Sequence, residues 1–388
     1  MKKHIKAKLI LEDGSIFHGA SFGYDQSTSG EVVFNTGMAG YPQSLTDPSY
    51  SGQILVFTYP LVGNYGIGNE SVDEYGIQKH FESDKIQVKG VVVSEYSFDH
   101  NHWESDKSFQ KWLKDNKITA IFGIDTRALT VKIREKGVML GKIVIDIEEI
   151  DFYDPNKENL VADVSRKEVQ RIGSGKYKII VVDCGVKNNI LRCLLKRDVT
   201  LKVVPWNYDF NKQGFDTAGD YDGLFISNGP GNPVHCRETI INLKTAMNKE
   251  NPKPIFGICL GNQLLALAAG ASTYKLKFGH RSQNQPCVVC NINKSIMNNG
   301  MSDVNKKGFI TSQNHGYAVD KNTLPEQWEE FFYNANDDTN EGIKHKTLPF
   351  FSVQFHPEGR CGPMDTEYLF DEFIDNLSKY VSKTRQMR

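Results

Sequence analysis

From residue 178 onward the chain repeats one pattern: a short run of apolar, β-branched residues, a turn, then a stretch with helical spacing. Residues 179–182, 200–204, 223–227, 254–258 and 350–355 read as strands, and 186–196, 237–249, 260–269 and 366–380 as helices. Strands that are apolar throughout, not alternating, need cover on both faces, and strands separated by helices pair in parallel. The expected fold is α/β, a mostly parallel sheet with helices on both faces. Such sheets bind ligands at the carboxyl ends of their strands. The residues that follow each strand are therefore where chemistry is sought.

Residues 1–150 read as a separate unit. Strand-like runs cover 8–11, 31–35, 53–58 and 90–94, and helical spacing covers 105–116 and 126–136. Between 151 and 177 the composition turns to Asp154-Pro155-Asn156 and Gly173-Ser174-Gly175, which is turn and linker chemistry. The expected division is 1–150, a linker 151–177, and 178–388. A phosphate loop at Lys176 is disfavoured, because Gln170 stands where its first glycine belongs and Tyr177 where its Ser or Thr belongs.

Composition removes several classes of function. Forty-six basic and 47 acidic side chains leave a net charge of −1, so no chain-wide basic surface exists for nucleic acid or an anionic membrane. The longest apolar run, 264–269, falls far short of the roughly 18–20 residues of a membrane span. Ala7 to Leu11 is interrupted by Lys8, so no secretory segment is expected. Seven cysteines, an odd and low number, argue for a reducing compartment, expected to be the cytoplasm, and leave at least one thiol to explain. Cys287-Val288-Val289-Cys290 has C-x-x-C spacing without a second pair, and on a strand its thiols face opposite ways, so no metal site is expected. The basic tail from Lys379 to Arg388 reads as a solvated end or a linker.

The sharpest feature is Gly257-Ile258-Cys259-Leu260-Gly261, a G-x-C-x-G between a strand and a helix. This is the cysteine version of the nucleophile elbow: a tight turn projects the nucleophile, and the glycines clear space around it. The helix N-terminus behind Cys259 favours negative charge, and the Leu260 N–H is positioned as an oxyanion donor. The alternative is a structural thiol in a buried turn; the two glycines and the strand–helix context favour the nucleophile. A thiol nucleophile needs a base, and the base an orienting group. His356-Pro357-Glu358 ends another strand, and residues two apart in extended backbone share a side. Glu358 can thus orient His356, although His-x-Glu alone is a weak signal. Asn228-Gly229-Pro230-Gly231 closes a third strand with a turn able to aim N–H groups at an anion.

These residues together resemble the class I glutamine amidotransferases. In the first half, Leu11-Glu12-Asp13-Gly14, 30–37, Thr46-Asp47-Pro48-Ser49-Tyr50 and 123–127 resemble the small chain of carbamoyl phosphate synthetase, in forms closest to the eukaryotic ones. The resemblance implies a C-terminal class I amidotransferase domain beside a distinct N-terminal α/β small-chain domain. It implies Cys259 as nucleophile, His356 as acid and base, and Glu358 as its partner. It implies that L-glutamine is held by Ser49, contributed by the N-terminal domain, and by Gly229, Gly231, Leu260, Gln263, Asn314, Gly316 and Tyr317. No cofactor or metal is expected in this chain; ATP and Mg belong to a synthetase partner, either a large subunit or a fused domain. Three rivals stay open: an amidotransferase of another biosynthetic synthetase, a silent scaffold for an ammonia-dependent one, and a hydrolase of unrelated small amides that acts without a synthetase. So does the product's destination, in pyrimidine or arginine synthesis.

Overall fold

The structure, a computed structural model, describes residues 4–217, 220–290 and 308–386. The first three residues of the N-terminal stretch and the last two of the basic tail considered above lie outside the described residues. The chain divides into two compact units, Met1–Leu160 with Lys277–Ser282, and Val161–Leu276 with Gln283–Arg388.

In the first unit, β1 (Lys6–Leu11), β2 (Ile16–Ser21), β3 (Thr28–Asn35), β4 (Gln53–Phe57), β6 (Gly90–Val92), β8 (Thr119–Phe122) and β9 (Met139–Ile145) close into a barrel in the order β1-β2-β8-β6-β4-β3-β9. The strand pairs β3–β4, β4–β6 and β6–β8 are parallel. A small parallel pair, β5 (Leu61–Val62) and β7 (Glu95–Tyr96), lies apart from it. β4, β6 and β8 are buried almost without alternation because both of their faces are covered, whereas β1 alternates. Val32, Ile54, Val92 and Ile121 join one apolar cluster, and their neighbours Val33, Leu55, Val91 and Ala120 join another. The second cluster takes Tyr41 and Leu45 from α1 (Tyr41–Thr46) and Phe109 and Trp112 from α2 (Phe109–Asp115); the first takes Leu129 and Ile133 from α3 (Thr126–Lys136). Closure itself had no signal in the sequence, since it is a property of pairing between distant strands.

The stretch expected as a linker carries a short helix, α4 (Leu160–Val164), and a strand, β10 (Gln170–Ile172). The second unit adds β11 (Tyr177–Asp183), α5 (Asn188–Leu195), β12 (Val199–Pro205), α6 (Phe210–Gln213), β13 (Gly223–Ile226), α7 (Arg237–Met247), β14 (Ile255–Ile258) and α8 (Leu260–Ala269). β15 (Thr273–Val289), β16 (Gly308–Val319), β17 (Trp328–Asn334), β18 (Asn340–His345), β19 (Phe350–Val353) and α9 (Tyr368–Gln386) complete it. The sheet order is β10-β12-β11-β13-β14-β19-β18-β17-β15-β16. The block β12-β11-β13-β14-β19 is parallel, as the strand–helix alternation requires. β18 reverses against β19 and begins an antiparallel extension that the sequence reading did not foresee.

Both faces of the parallel block are covered. Leu224, Ile226 and Ile255 pack with Leu260, Leu264 and Leu265 of α8 and Leu243 of α7. The alternate residues Phe225 and Phe256 meet Phe370 and Phe373 of α9, ring centroids 5.7–6.2 Å apart. α9 continues past residue 380 through most of the basic tail. The carboxyl ends of β11, β13 and β14, with the residues after β19, thus come to one edge of this sheet.

Candidate active site

β14 ends at Ile258 and α8 begins at Leu260, so Cys259 occupies the turn alone, with φ 56° and ψ −104°. A non-glycine residue held there costs of order 1–3 kcal/mol and persists only where its surroundings enforce it. The enforcement is visible. The Cys259 N–H donates to the Val353 carbonyl at 2.8 Å, and the Cys259 carbonyl accepts from the Asn262 and Gln263 N–H groups at 3.1 and 3.3 Å. The flanking glycines permit the approach. A Cβ on Gly257 would sit 2.6 Å from the Gly261 oxygen, and one on Gly261 would overlap the Ile226 carbonyl at the end of β13. A Cβ on Gly229 would overlap the Cys184 carbonyl and come 2.8 Å from a Leu260 methyl, so the glycine turn after β13 abuts the elbow. Neither the Gly231 nor the Leu260 N–H donates to any group among the described residues, which leaves both able to donate to a bound acceptor.

His356 follows β19 and is fixed by its own N–H, which donates to the Ser312 carbonyl at 2.8 Å. Its Nδ1 faces Glu358 Oε1 at 2.7 Å. A carboxylate only accepts, so in the neutral imidazole the proton sits on Nδ1 and Nε2 is the base. Nε2 is buried and makes no hydrogen bond among the described residues. Burial works against a charged His356, but the Glu358 carboxylate outweighs it, and the Cys259 thiol adds to the same effect; the net direction is well up. For Glu358, burial favours the neutral acid, but Lys187 and His356 overcome it and hold the carboxyl well below the usual range. The Cys259 sulfur is itself buried and lies 3.5 Å from the Asn314 carbonyl oxygen on β16.

Two members of this arrangement escaped the sequence reading. Lys187 Nζ lies 2.8 Å from the same Glu358 oxygen that faces His356, and Asn189 Nδ2 donates to the Glu358 carbonyl at 2.6 Å. Both come from the turn and first residues of α5, after β11, and the Lys187 N–H is held by Asn228 Oδ1 at 3.1 Å. The signal that could have found them was the strand-end rule itself, applied to β11 as it was to β13 and β14. Because Lys187 favours the neutral imidazole, Lys187→Met should make His356 hold its proton more firmly and move the acid limb of the glutamine kcat/KM profile to higher pH. A pH–rate profile with an unmoved limb would contradict this.

Of the remaining candidates, Gln263 is buried in the first turn of α8 and donates to the Tyr317 carbonyl at 2.9 Å and to Gln354 Oε1 at 3.1 Å. Asn314, Gly316 and Tyr317 follow one another along β16, opposite the elbow. Ser49 lies in the first unit, buried in the turn Pro48–Tyr50, its N–H donating to Asp47 Oδ1 at 2.9 Å. The two thiols of the C-x-x-C segment have separate surroundings: Cys287 lies 3.4 Å from Thr311 Oγ1 and Cys290 3.6 Å from Glu330. All seven cysteines are free thiols. No helix among the described residues is long and apolar enough to cross a membrane.

A strained cysteine between strand and helix, served by a buried His–Glu pair from the neighbouring strand of a doubly covered sheet, defines a class I glutamine amidotransferase. In agreement, residues 180–376 match the family model for glutamine amidotransferase class-I, and residues 9–143 match that for the carbamoyl-phosphate synthase small chain, CPSase domain. The carbamoyl phosphate synthase arginine-specific small chain of Saccharomyces cerevisiae is 47% identical over 386 residues, which cover 97% of this chain and 89% of that one. The chain belongs to the carbamoyl-phosphate synthase small-chain family. It is also 49% identical over 380 residues to the human carbamoyl-phosphate synthase (ammonia), mitochondrial, covering 97% of this chain and 24% of that protein. Multifunctional protein pyr1-3 of Dictyostelium discoideum is 49% identical over 390 residues, covering 96% of this chain and 17% of that protein. The chain therefore spans a quarter or less of the length of these two relatives.

Proposed function

We propose that this chain is the glutaminase component of a glutamine-hydrolysing carbamoyl-phosphate synthase. It releases ammonia from L-glutamine and passes it to a synthetase, a large subunit or a fused domain, that uses bicarbonate and ATP with Mg. Its place is the cytoplasm, where free thiols stay reduced. The observation that carries this reading is Cys259 held in a strained turn with the buried His356–Glu358–Lys187 chain behind it.

His356 Nε2 takes the thiol proton, and the Cys259 sulfur attacks the side-chain carbonyl carbon of glutamine. The oxygen becomes an oxyanion held by the Gly231 and Leu260 N–H groups. His356 returns the proton to the nitrogen, the C–N bond breaks, and ammonia leaves a glutamyl thioester. Water, giving its proton to His356, adds to the thioester carbon; the C–S bond breaks, glutamate departs, and the sulfur recovers its proton. Glu358 keeps Nδ1 protonated throughout. An intact cysteine, histidine and glutamate favour this reading over a silent scaffold, and the match of residues 9–143 favours it over amidotransferases of other synthetases.

A chloroketone analogue of glutamine tests it. The expected result is stoichiometric alkylation of Cys259 and of none of the other six cysteines, loss of glutaminase activity in step, and protection by glutamine. A sulfur left unmodified, with the synthetase present as well as absent, would overturn it.

A further inference from the structure

Behind the elbow lies a set of buried amides whose orientations can be deduced one from another, with Gln354 Nε2 buried and making no hydrogen bond among the described residues. A main-chain carbonyl only accepts hydrogen bonds. The Tyr317 oxygen is 2.9 Å from the Gln263 side-chain amide, so the end of that amide facing β16 is the NH2 group. The same nitrogen lies 3.1 Å from Gln354, so the Gln354 atom there is its oxygen. Asn262 Nδ2 donates to that oxygen at 3.3 Å, which turns the Asn262 oxygen toward the Ser352 hydroxyl, its donor at 2.8 Å. Every side chain in the set is buried, Gln354, Asn262 and Ser352 completely. The deduction starts from a backbone atom that cannot be flipped, so the amide orientations are fixed by chemistry.

Both protons of the Gln263 amide are thereby committed, and one atom is left over. No group among the described residues donates to Gln263 Oε1, and it is not one of the side-chain oxygens shut off from solvent without a partner. It is an acceptor held in place in the first turn behind the nucleophile, on the side of β16 that also touches the sulfur. Of the two groups on the α-carbon of glutamine, the ammonium donates and the carboxylate only accepts. An amide oxygen suits the first and repels the second.

Resting on the glutaminase reading, we propose that Gln354 is a positioning residue for substrate selection: it locks the Gln263 carboxamide with its oxygen toward the substrate, so that the site selects carboxamides bearing an α-ammonium. One hydrogen bond, to Tyr317, would fix an atom; the second, to Gln354, fixes the plane. Without the Gln354 oxygen the Gln263 amide turns about its bond to Tyr317, and the ammonium loses its acceptor.

The test compares the 388-residue chain with its Gln354→Leu, Gln354→Met and Gln354→Glu variants, on L-glutamine and on glutaramate, the same chain without the α-amino group. The wild-type chain should favour glutamine in kcat/KM by about 100-fold or more, as sites built around a substrate N–H do. In Gln354→Leu, KM for glutamine should rise about 10- to 100-fold, kcat should fall far less, and the preference over glutaramate should collapse. Gln354→Met should behave alike and decides the matter should the leucine variant not fold. Gln354→Glu, which keeps acceptor oxygens for both amides, should retain the preference. A leucine or methionine variant that keeps the wild-type preference, or loses both substrates equally, would overturn the proposal while the glutaminase reading stands. A wild-type chain inactive on glutamine, alone and with its synthetase, would overturn that reading as well.

Discussion

Cys259→Ala should abolish glutamine hydrolysis, lowering kcat by about 10⁴- to 10⁶-fold, the range seen when a nucleophile that acts together with its base is removed. The fold should survive, because alanine fits the space of the thiol and meets the same backbone strain at φ 56° that cysteine already bears. The loss is therefore chemical. In the assembled synthetase, synthesis driven by free ammonia should continue at the wild-type rate, because in that assay ammonia is supplied directly and does not depend on the sulfur. Glutamate release and ammonia-driven carbamoyl phosphate formation, measured on one preparation, separate the two activities. Glutamate release above about one per cent of wild type would assign the nucleophile to another group.

The second large effect is expected from Glu358→Gln. Lys187 Nζ and His356 Nδ1 both point at Glu358 Oε1, and a carboxylate accepts from both. A carboxamide oxygen in the place of Oε1 has two lone pairs and can still accept from both, so Nδ1 keeps its proton. What is lost is the negative charge beside the imidazolium that forms when Nε2 takes the thiol proton, and the second oxygen, Oε2, buried without a partner among the described residues, is replaced by an NH2 group. A loss of about 10²- to 10⁴-fold is expected, mainly in kcat.

The same substitution has a pH signature. The carboxyl of Glu358 is held low, so its contribution to stability is full above its unfolded value near 4.5 and is lost as pH falls through the folded value. His356 is held high, so its contribution is full below its unfolded value near 6.5 and is lost as pH rises through the folded value. Glu358→Gln removes both effects. Its melting temperature should be lower than that of wild type near neutrality, where the Lys187 ammonium loses its counter-charge, and should vary less with pH on either side. Thermal melts of both proteins across pH 3–10 check the two limbs.

Much of the site was legible from local pattern. The elbow needs glycines at 257 and 261 because Cβ atoms there would collide with main-chain carbonyls, and that need is written in five consecutive residues. His356 and Glu358 are two residues apart in extended backbone, so their pairing is local as well. The parallel block could be read for the same reason: strands covered on both faces lose their alternation, as in 179–182 and 223–226.

What the amino-acid order determined by itself was the strands and helices of the parallel block and the glycine-flanked turn that carries Cys259, because helix spacing, strand runs and turn glycines act over a few residues. The tertiary structure alone decided the closure of the barrel, the antiparallel extension through β18, β17 and β15, and the arrival of Lys187 at Glu358 across 171 residues. It also decided which end of the Gln263 amide faces outward. Hydrogen bonds and ion pairs between distant segments depend on where the backbone has already brought them, and no periodicity within a segment records that.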